Sequence, residues 1–151
     1  MRIREDDLTD TRVIDLLREH LEHMHEITPP ESVHALGLEG LRAPAVTFWS
    51  VWEGDILLGC GALKELDEKT GEIKSMRTVA KWRGRGVGSA IVEFIIEEAR
   101  RRGYACLNLE TGSMPEFASA RELYERYGFE YRAPFADYVE DPNSVFMTKT
   151  L

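Results

Sequence analysis

The chain has 151 residues, of which 43% are hydrophobic and 30% are charged, and its formal net charge is −8. This size and composition predict one domain, residues 1–151, and the acidic balance argues against nucleic-acid binding. No apolar run approaches the roughly 20 residues of a membrane helix, and the N-terminus lacks the apolar segment of a signal peptide, so we predict a cytoplasmic protein without membrane contact. The cysteines, Cys60 and Cys106, lie in apolar strand-like runs and are interpreted as reduced buried thiols.

The N-terminal half contains helical and strand-like periodicities separated by proline and glycine. A first helix follows Thr9, its predicted N-cap, and ends near His25, before Pro29-Pro30. A second, short helix is predicted over Glu31–Leu41. The predicted strands of this half are Met1–Glu5, Val46–Trp52 and Ile56–Leu66, the last two joined by a tight turn.

The C-terminal half begins with a strand from Gly71 that completes an antiparallel meander with the two strands before it. A long helix starts at Val87, pairs Glu97 with Arg101 on its outer face and is capped by Gly103. The remaining predicted elements are a strand over Tyr104–Glu110, a helix opened by Pro115 and closed by Gly128, and a final hairpin of Phe129–Tyr131 and Val145–Lys149 around the acidic loop Asp137–Asn143. Periodicity alone supports a mixed α/β domain.

A glycine-rich turn, Arg83–Gly88, separates the Gly71 strand from the long helix. Glycines let the backbone approach an anion, and the first N–H groups of a helix have no partners of their own. Between Ile73 and Val92 there is no acidic residue, whereas Lys74, Arg77, Lys81, Arg83 and Arg85 are all basic. In a chain of net negative charge, this local reversal indicates an anionic ligand. The spacing fits neither dinucleotide nor nucleoside-triphosphate loops.

The spacing Arg83-x-x-Gly86-x-Gly88 resembles the pyrophosphate-binding motif of the GNAT superfamily of N-acetyltransferases. The segment Ala120-x-x-Leu-Tyr-Glu-Arg-x-Gly-Phe129 is similar to a helix and strand of that family. Glu72, eleven positions before Arg83, resembles a glutamate that several members carry at this place. The blocks Glu110–Ser113 and Glu140–Met147 resemble those of small bacterial acetyltransferases. The resemblance implies a mixed, mostly antiparallel sheet flanked by helices, an α/β (α+β) fold in the order β-α-α-β-β-β-α-β-α-β-β.

The resemblance also implies acetyl-CoA as the co-substrate, without a metal. Its phosphates are expected on the backbone N–H groups of the glycine turn, and its pantetheine arm on the edge of the preceding strand. The arginine side chains of the turn have an alternative interpretation as a solvated basic face. Phe117 stands where the family commonly carries an asparagine, which puts that polar contact in doubt. The predicted cofactor-binding residues are Met76, Thr78, Arg83, Gly84, Arg85, Gly86, Val87, Gly88, Ala120 and Tyr124.

For catalysis, the resemblance implies that Glu72 is the base that deprotonates the acceptor amine, with Glu110 as the second candidate. Tyr124 is the candidate general acid for the departing thiolate, because a thiol with a pKa near ~8.5 can take a proton from a phenol in reach. The alternatives are a surface glutamate and a tyrosine that packs in the core. No cysteine stands beside an evident base, so we predict direct transfer without an acetyl-enzyme.

The acceptor is predicted to be a small-molecule primary amine, an amino acid being the favoured form. The resemblance places it between Thr28–Arg42 and Ala133–Ser144, where His34, Arg42 and Tyr138 are candidate substrate-binding residues. Arg42 would hold a carboxylate, although it has an equal interpretation as a surface residue. A homodimer is one expectation for the assembly.

Two competing functions stay open at this point. A non-catalytic acyl-CoA-binding module would need neither Glu72 nor Tyr124. A metal-dependent enzyme would use the histidines, but His20 and His23 share a helix face without His25, and no recognised ligand spacing is completed.

Overall fold

The computed structural model describes residues 1–151 and contains one seven-stranded sheet in the order β1-β2-β3-β4-β5-β7-β6. Its strands are β1 Arg2–Glu5, β2 Val46–Glu53, β3 Ile56–Asp67, β4 Thr70–Thr78, β5 Cys106–Gly112, β6 Glu130–Arg132 and β7 Ser144–Thr150. Its helices are α1 Thr11–Ile27, α2 Leu38–Leu41, α3 Val87–Arg101 and α4 Ala118–Arg126, with 3₁₀ turns at Pro30–Ser32, Ala80–Trp82 and Pro115–Phe117. The fold class predicted from the sequence is confirmed.

The pairing of β4 with β5 determines where the sheet opens. Strands β1 to β4 form an antiparallel meander, and β5 joins β4 in parallel. That parallel pairing covers only four residues of β4 and ends at Ile73 opposite Leu109. Beyond this point β4 continues to Thr78, while β5 continues to Gly112 and pairs with β7 instead. The two strands therefore separate and leave a gap in the middle of the sheet.

Two apolar clusters cover the two faces of the sheet. Helix α3 buries Val87, Ile91, Ile95 and Ala99 against one face, as the sequence periodicity predicts. Helix α1 buries its own apolar stripe against the opposite face, where Cys60 is fully buried. We call these the α3 face and the α1 face. No helix of the chain has the length and apolar content needed to cross a membrane.

Several local predictions need correction. Asp10, not Thr9, caps α1, because its carboxylate accepts a hydrogen bond from the Arg12 N–H at 2.9 Å. The predicted helix over Glu31–Leu41 is a 3₁₀ turn, an extended stretch and the four-residue α2. Too few helix-favouring residues lie between Pro30 and the two glycines of that stretch to form a longer helix.

On α3 the predicted pair of Glu97 with Arg101 is also wrong. Glu97 pairs with Arg100 at 2.7 Å, and Arg101 pairs with Glu98, so both pairs take the three-residue spacing. Gly103 does cap the helix: its φ is 82°, and Tyr104 N–H donates to the carbonyl of Ala99.

Two further predictions are modified at the C-terminal helix and the cysteines. Pro115 opens a 3₁₀ turn, and α4 begins three residues later at Ala118. Both cysteines are free thiols: Cys60 is buried, which raises its pKa to about 12, and Cys106 is half-buried.

Candidate active site

A continuous cleft of about 610 Å³ occupies the gap between β4 and β5. Its walls come from β4, β5, the glycine turn, the first turn of α3, helix α4 and the C-terminal end of α1 with the segment that follows it. The cleft thus passes from the α3 face to the α1 face through the opening of the sheet. Such a passage can hold one reactant on each face and let the two meet where the strands part.

The glycine turn forms the cleft wall at the start of α3. Gly84 and Gly86 have φ values of 76° and 83°, a left-handed conformation that a side chain disfavours, and open space surrounds both α-carbons. Gly86 is the N-cap of α3 and supplies no side-chain cap, so the first N–H groups of the helix stay available. Arg83 lines the cleft, whereas Arg85 stacks over the Trp82 ring at 5.2 Å and lies outside it. We therefore remove Arg85 from the predicted cofactor-binding set.

A β-bulge sits in β4 where that strand leaves β5. Two residues of β4, Ser75 and Met76, oppose the single Gly61 of β3, and Ser75 has a φ of 54°. The bulge bends the strand and changes which side chains face each side. Met76 packs on the α3 face, and Arg77 pairs with Cys60, whose side chain is buried against α1. Met76 and Thr78, which are predicted to bind the cofactor, line the cleft.

The Glu72 carboxylate lies in a buried polar network. Glu72 is only 2% exposed, and its Oε2 accepts hydrogen bonds from the Lys74 ammonium at 3.1 Å and from the Tyr138 hydroxyl at 2.5 Å. Lys74 also donates to the Tyr138 hydroxyl at 2.9 Å. Burial raises the pKa of Tyr138, and the charge of Glu72 and its hydrogen bond to the hydroxyl raise it further. Glu72 thus holds Lys74 and Tyr138 in place, and its Oε2 is already engaged in hydrogen bonds to both.

Glu110 and Tyr124 both line the cleft that opens where the strands separate. Burial raises the pKa of the Glu110 carboxyl to about 7, and the negative charge of Glu72 raises it further, whereas Ser144 and Lys74 act in the opposite direction. Burial also raises the pKa of Tyr124, with a further contribution from the charge of Glu110. Tyr124 is 6% exposed, lines the cleft and packs edge-on against Phe129. The site therefore pairs a carboxyl that titrates near neutrality with a phenol that stays protonated.

Contacts between distant segments shape the α1 side of the cleft. Ser32 donates to Asp141 at 2.5 Å, which ties the turn after α1 to the loop before β7. His34 lines the cleft and packs edge-on against Tyr138, with ring centroids 5.0 Å apart. Arg42 is exposed and lies outside the cleft, where it donates to the carbonyl of Leu8 at 2.6 Å. We therefore discard Arg42 as a candidate for substrate binding.

Comparisons with known proteins agree with this geometry. The family model described as the acetyltransferase (GNAT) family matches residues 11–129. The chain belongs to the GNAT acetyltransferase family. It is also 62% identical over 151 residues, all of both chains, to an uncharacterized N-acetyltransferase of Bacillus subtilis, YsnE. This GNAT protein is therefore an acyltransferase enzyme.

Solved structures match this GNAT enzyme over nearly its whole length. A proposed acyl-CoA N-acyltransferase of Klebsiella pneumoniae is 30% identical, with a TM-score of 0.80 and coverage of 99% of this chain and 97% of that one. A Bacillus subtilis acetyltransferase solved in complex with CoA is 20% identical, with a TM-score of 0.71 and coverage of 99% and 98%. At 20% identity, the similarity to the Bacillus subtilis structure shows a common fold and nothing more.

This enzyme differs from the usual GNAT motif at Phe117 and agrees with it at Ala120. Phe117, in the position where asparagine is common, packs against Gly112, where an added β-carbon would collide with the Phe117 ring. That ring therefore fills space at the end of β5, and only a glycine fits beneath it. Ala120 lines the cleft next to this ring, as the motif predicts.

Sequence reasoning missed a group of polar side chains on the α1 side of the GNAT cleft. The cleft-lining residues that carry a buried polar atom without a hydrogen-bond partner are His20, Thr28, Ser75 and Arg77. Two signals in the sequence point to this group: the basic run that contains Arg77 indicates an anionic ligand, and His20 is one of the histidines weighed as metal ligands. No group of three or more histidine, cysteine, aspartate or glutamate side chains is arranged to hold a metal ion.

Proposed function

We propose that this enzyme transfers an acetyl group from acetyl-CoA directly to a primary amine of a small molecule, with Glu110 as the base and Tyr124 as the acid. The observation that carries this proposal is that both groups line the cleft opened by the separation of β4 and β5, near enough for the charge of Glu110 to raise the pKa of Tyr124. A non-catalytic acyl-CoA-binding module gives no reason for a carboxyl with a pKa near 7 beside a buried phenol. A cytoplasmic location and a homodimer stay predictions.

Acetyl-CoA would enter from the α3 face. Its pyrophosphate would accept hydrogen bonds from the N–H groups of Gly86, Val87 and Gly88, with Arg83 as the charged partner. Its pantetheine arm would run along β4 beyond Ile73, where that strand has lost its β5 partner. This path directs the thioester toward the junction of β4 and β5.

The transfer begins with removal of a proton from the acceptor ammonium. An alkyl ammonium has a pKa near ~10.4, so few molecules are nucleophilic at neutral pH without a base. Glu110 takes this proton directly or through one water, and the neutral amine attacks the thioester carbonyl carbon. The new C–N bond gives a tetrahedral intermediate whose negative charge falls on the former carbonyl oxygen.

Collapse of the intermediate breaks the C–S bond. The departing thiolate takes the proton of the Tyr124 hydroxyl, and the proton that remains on the nitrogen leaves to restore the phenol. The balance is an amide, free CoA thiol and one proton released to solvent through Glu110. Because burial raises the pKa of Tyr124, its proton is present throughout the physiological pH range.

We assign the base to Glu110 rather than to Glu72 because of their surroundings. The Glu72 carboxylate is 2% exposed and already accepts hydrogen bonds from Lys74 and Tyr138. A proton taken by Glu72 would remove the charge that holds the buried Lys74 ammonium. Glu110 has no comparable partner, and its pKa of about 7 matches the operating pH of a base.

The test is the pH dependence of turnover with a panel of primary amines and a free-thiol readout. Wild type should show an acidic limb in kcat/KM with an apparent pKa of about 7, since Glu110 must be ionised. Glu110→Gln should lower kcat by roughly 10²–10⁴-fold and remove that limb. Glu68→Gln, at an exposed position in the turn between β3 and β4, is the matched control. If Glu110→Gln keeps the limb, Glu72 or an ordered water becomes the base.

Stability gives a second measurement of the same group. A carboxyl whose folded pKa is raised above its ordinary value of 4.5 favours its protonated form, so its contribution to stability is lost as the pH rises through about 7. Glu110→Gln should therefore raise the melting temperature relative to wild type at pH 8, and the difference should shrink at pH 5. Equal differences at both pH values would show that the Glu110 pKa is not raised.

A further inference from the structure

Arg77 is a half-buried guanidinium without an ionic partner. It forms no salt bridge, and its Nε is buried without a hydrogen-bond acceptor. Burial lowers the pKa of Arg77 and the positive charge of Arg83 lowers it further, whereas the carboxylate of Glu19, which forms no salt bridge with Arg77, acts in the opposite direction. Charges held away from water in folded proteins are normally paired, because desolvation is costly. An unpaired arginine in the wall of a cleft is therefore a candidate anion-binding residue.

Three neighbours in the same cleft also lack partners. His20 Nδ1, Thr28 Oγ1 and Ser75 Oγ are buried and make no hydrogen bond. Burial and the charge of Arg77 lower the pKa of His20 to about 4, so its ring is neutral at physiological pH. Two hydroxyls and a neutral imidazole can donate hydrogen bonds without bringing a negative charge of their own. The group is complementary to a polar, anionic ligand.

The position of Arg77 on the sheet identifies which reactant carries that anion. Arg77 pairs with Cys60, which packs in the α1 cluster, whereas Met76 packs on the α3 face. The glycine turn and the N-terminus of α3, where phosphates would lie, belong to the α3 face. Arg77 therefore faces the side that the acceptor would occupy, and Arg83 lies at the end nearer the phosphates.

We propose that the acceptor is an amino acid whose carboxylate is bound by Arg77 while its amine is presented to Glu110, an inference that rests on the proposed function. Lys74 lies level with Glu110 along the sheet, because Ile73 pairs with Leu109. Arg77 lies two paired positions further along the sheet, because Lys74 pairs with Ala62 and Arg77 with Cys60, a separation of roughly 7 Å at the rise of a strand. Glu110 and Arg77 both line the cleft, so an amino acid bound between them would present its amine to Glu110 and its carboxylate to Arg77.

Binding of the reaction products tests this without requiring turnover. The probes are N-acetylglycine, N-acetylleucine and N-acetylphenylalanine, each compared with its N-methylamide, titrated by calorimetry into the enzyme–CoA complex. At least one acid should bind wild type tighter than its amide by about tenfold to a hundredfold, the range of a charge-assisted hydrogen-bonded pair. Arg77→Gln should abolish this difference, and Arg77→Lys should retain part of it because the charge remains. Arg100→Gln, on the exposed face of α3, controls for the change in net charge.

The outcomes separate this inference from the proposed function. An acid preference in wild type that Arg77→Gln abolishes supports the inference even if no amine in the panel turns over. Equal binding of acids and amides, or no binding of either, overturns it, and amine turnover can still stand. A loss of CoA affinity in Arg77→Gln also overturns it, because Arg77 would then serve the cofactor phosphates.

Discussion

The two walls of the cleft are built in different ways. The cofactor wall, defined by the Arg83–Gly88 turn, Ala120 and Tyr124, consists mainly of backbone groups whose conformation is set by adjacent residues. The acceptor wall, defined by His20, Thr28, His34 and Arg77, consists of side chains from α1, the segment after it and β4. Local sequence therefore specifies the first wall, and the folded chain assembles the second. A wall of side chains can change its specificity without disturbing the turn that we propose holds the cofactor.

The largest expected effect concerns Tyr124, the proposed general acid in the cofactor wall. Tyr124→Phe should lower kcat by roughly 10²–10⁴-fold, because the thiolate would lose its proton donor, while CoA binding measured by calorimetry should stay largely intact. Tyr127→Phe is the matched control, since that hydroxyl lies three residues later on the same helix end and donates to Glu93 at 2.6 Å, outside the cleft. Equal turnover in the two variants would assign Tyr124 to packing against Phe129.

A second expected effect concerns the buried ion pair that supports the acceptor wall. Glu72→Gln should reduce the free energy of unfolding by about 3–5 kcal/mol, measured by urea denaturation at pH 7, because it leaves the Lys74 ammonium buried without its counter-charge. The double variant Glu72→Gln/Lys74→Met should recover most of that loss, since it removes the orphaned charge. If the single variant keeps wild-type stability and loses turnover, Glu72 is the base after all.

The smallest expected effect distinguishes the two arginines of the glycine turn. Arg83→Ala should weaken CoA binding by about tenfold at low salt and less at high salt, because its side chain lines the cleft. Arg85→Ala should leave the affinity nearly unchanged, because Arg85 stacks on Trp82 outside the cleft. Equal losses in both variants would indicate a diffuse electrostatic effect of the turn in place of a direct contact.

Prediction from the sequence succeeded where the cause was local. The start of α3 at Val87 follows from the glycine turn, and the end near Gly103 follows from a left-handed cap. It failed over Glu31–Leu41, where prolines and glycines leave only short turns that contacts such as Ser32 with Asp141 hold in place. Residues that are 109 positions apart in the chain share no local signal.

The amino-acid sequence by itself determined the glycine turn, the start of the helix that follows it and the family motif, since backbone angles and helix N-termini depend on adjacent residues. Only the tertiary structure decided the roles of the charged side chains. It placed Arg42 outside the cleft and Arg77 inside it, and it engaged Glu72 with Lys74 while burying Glu110 enough to raise its pKa to about 7. Burial and charge pairing depend on neighbours that folding brings from distant parts of the chain, and these neighbours set how readily a group gains or loses a proton.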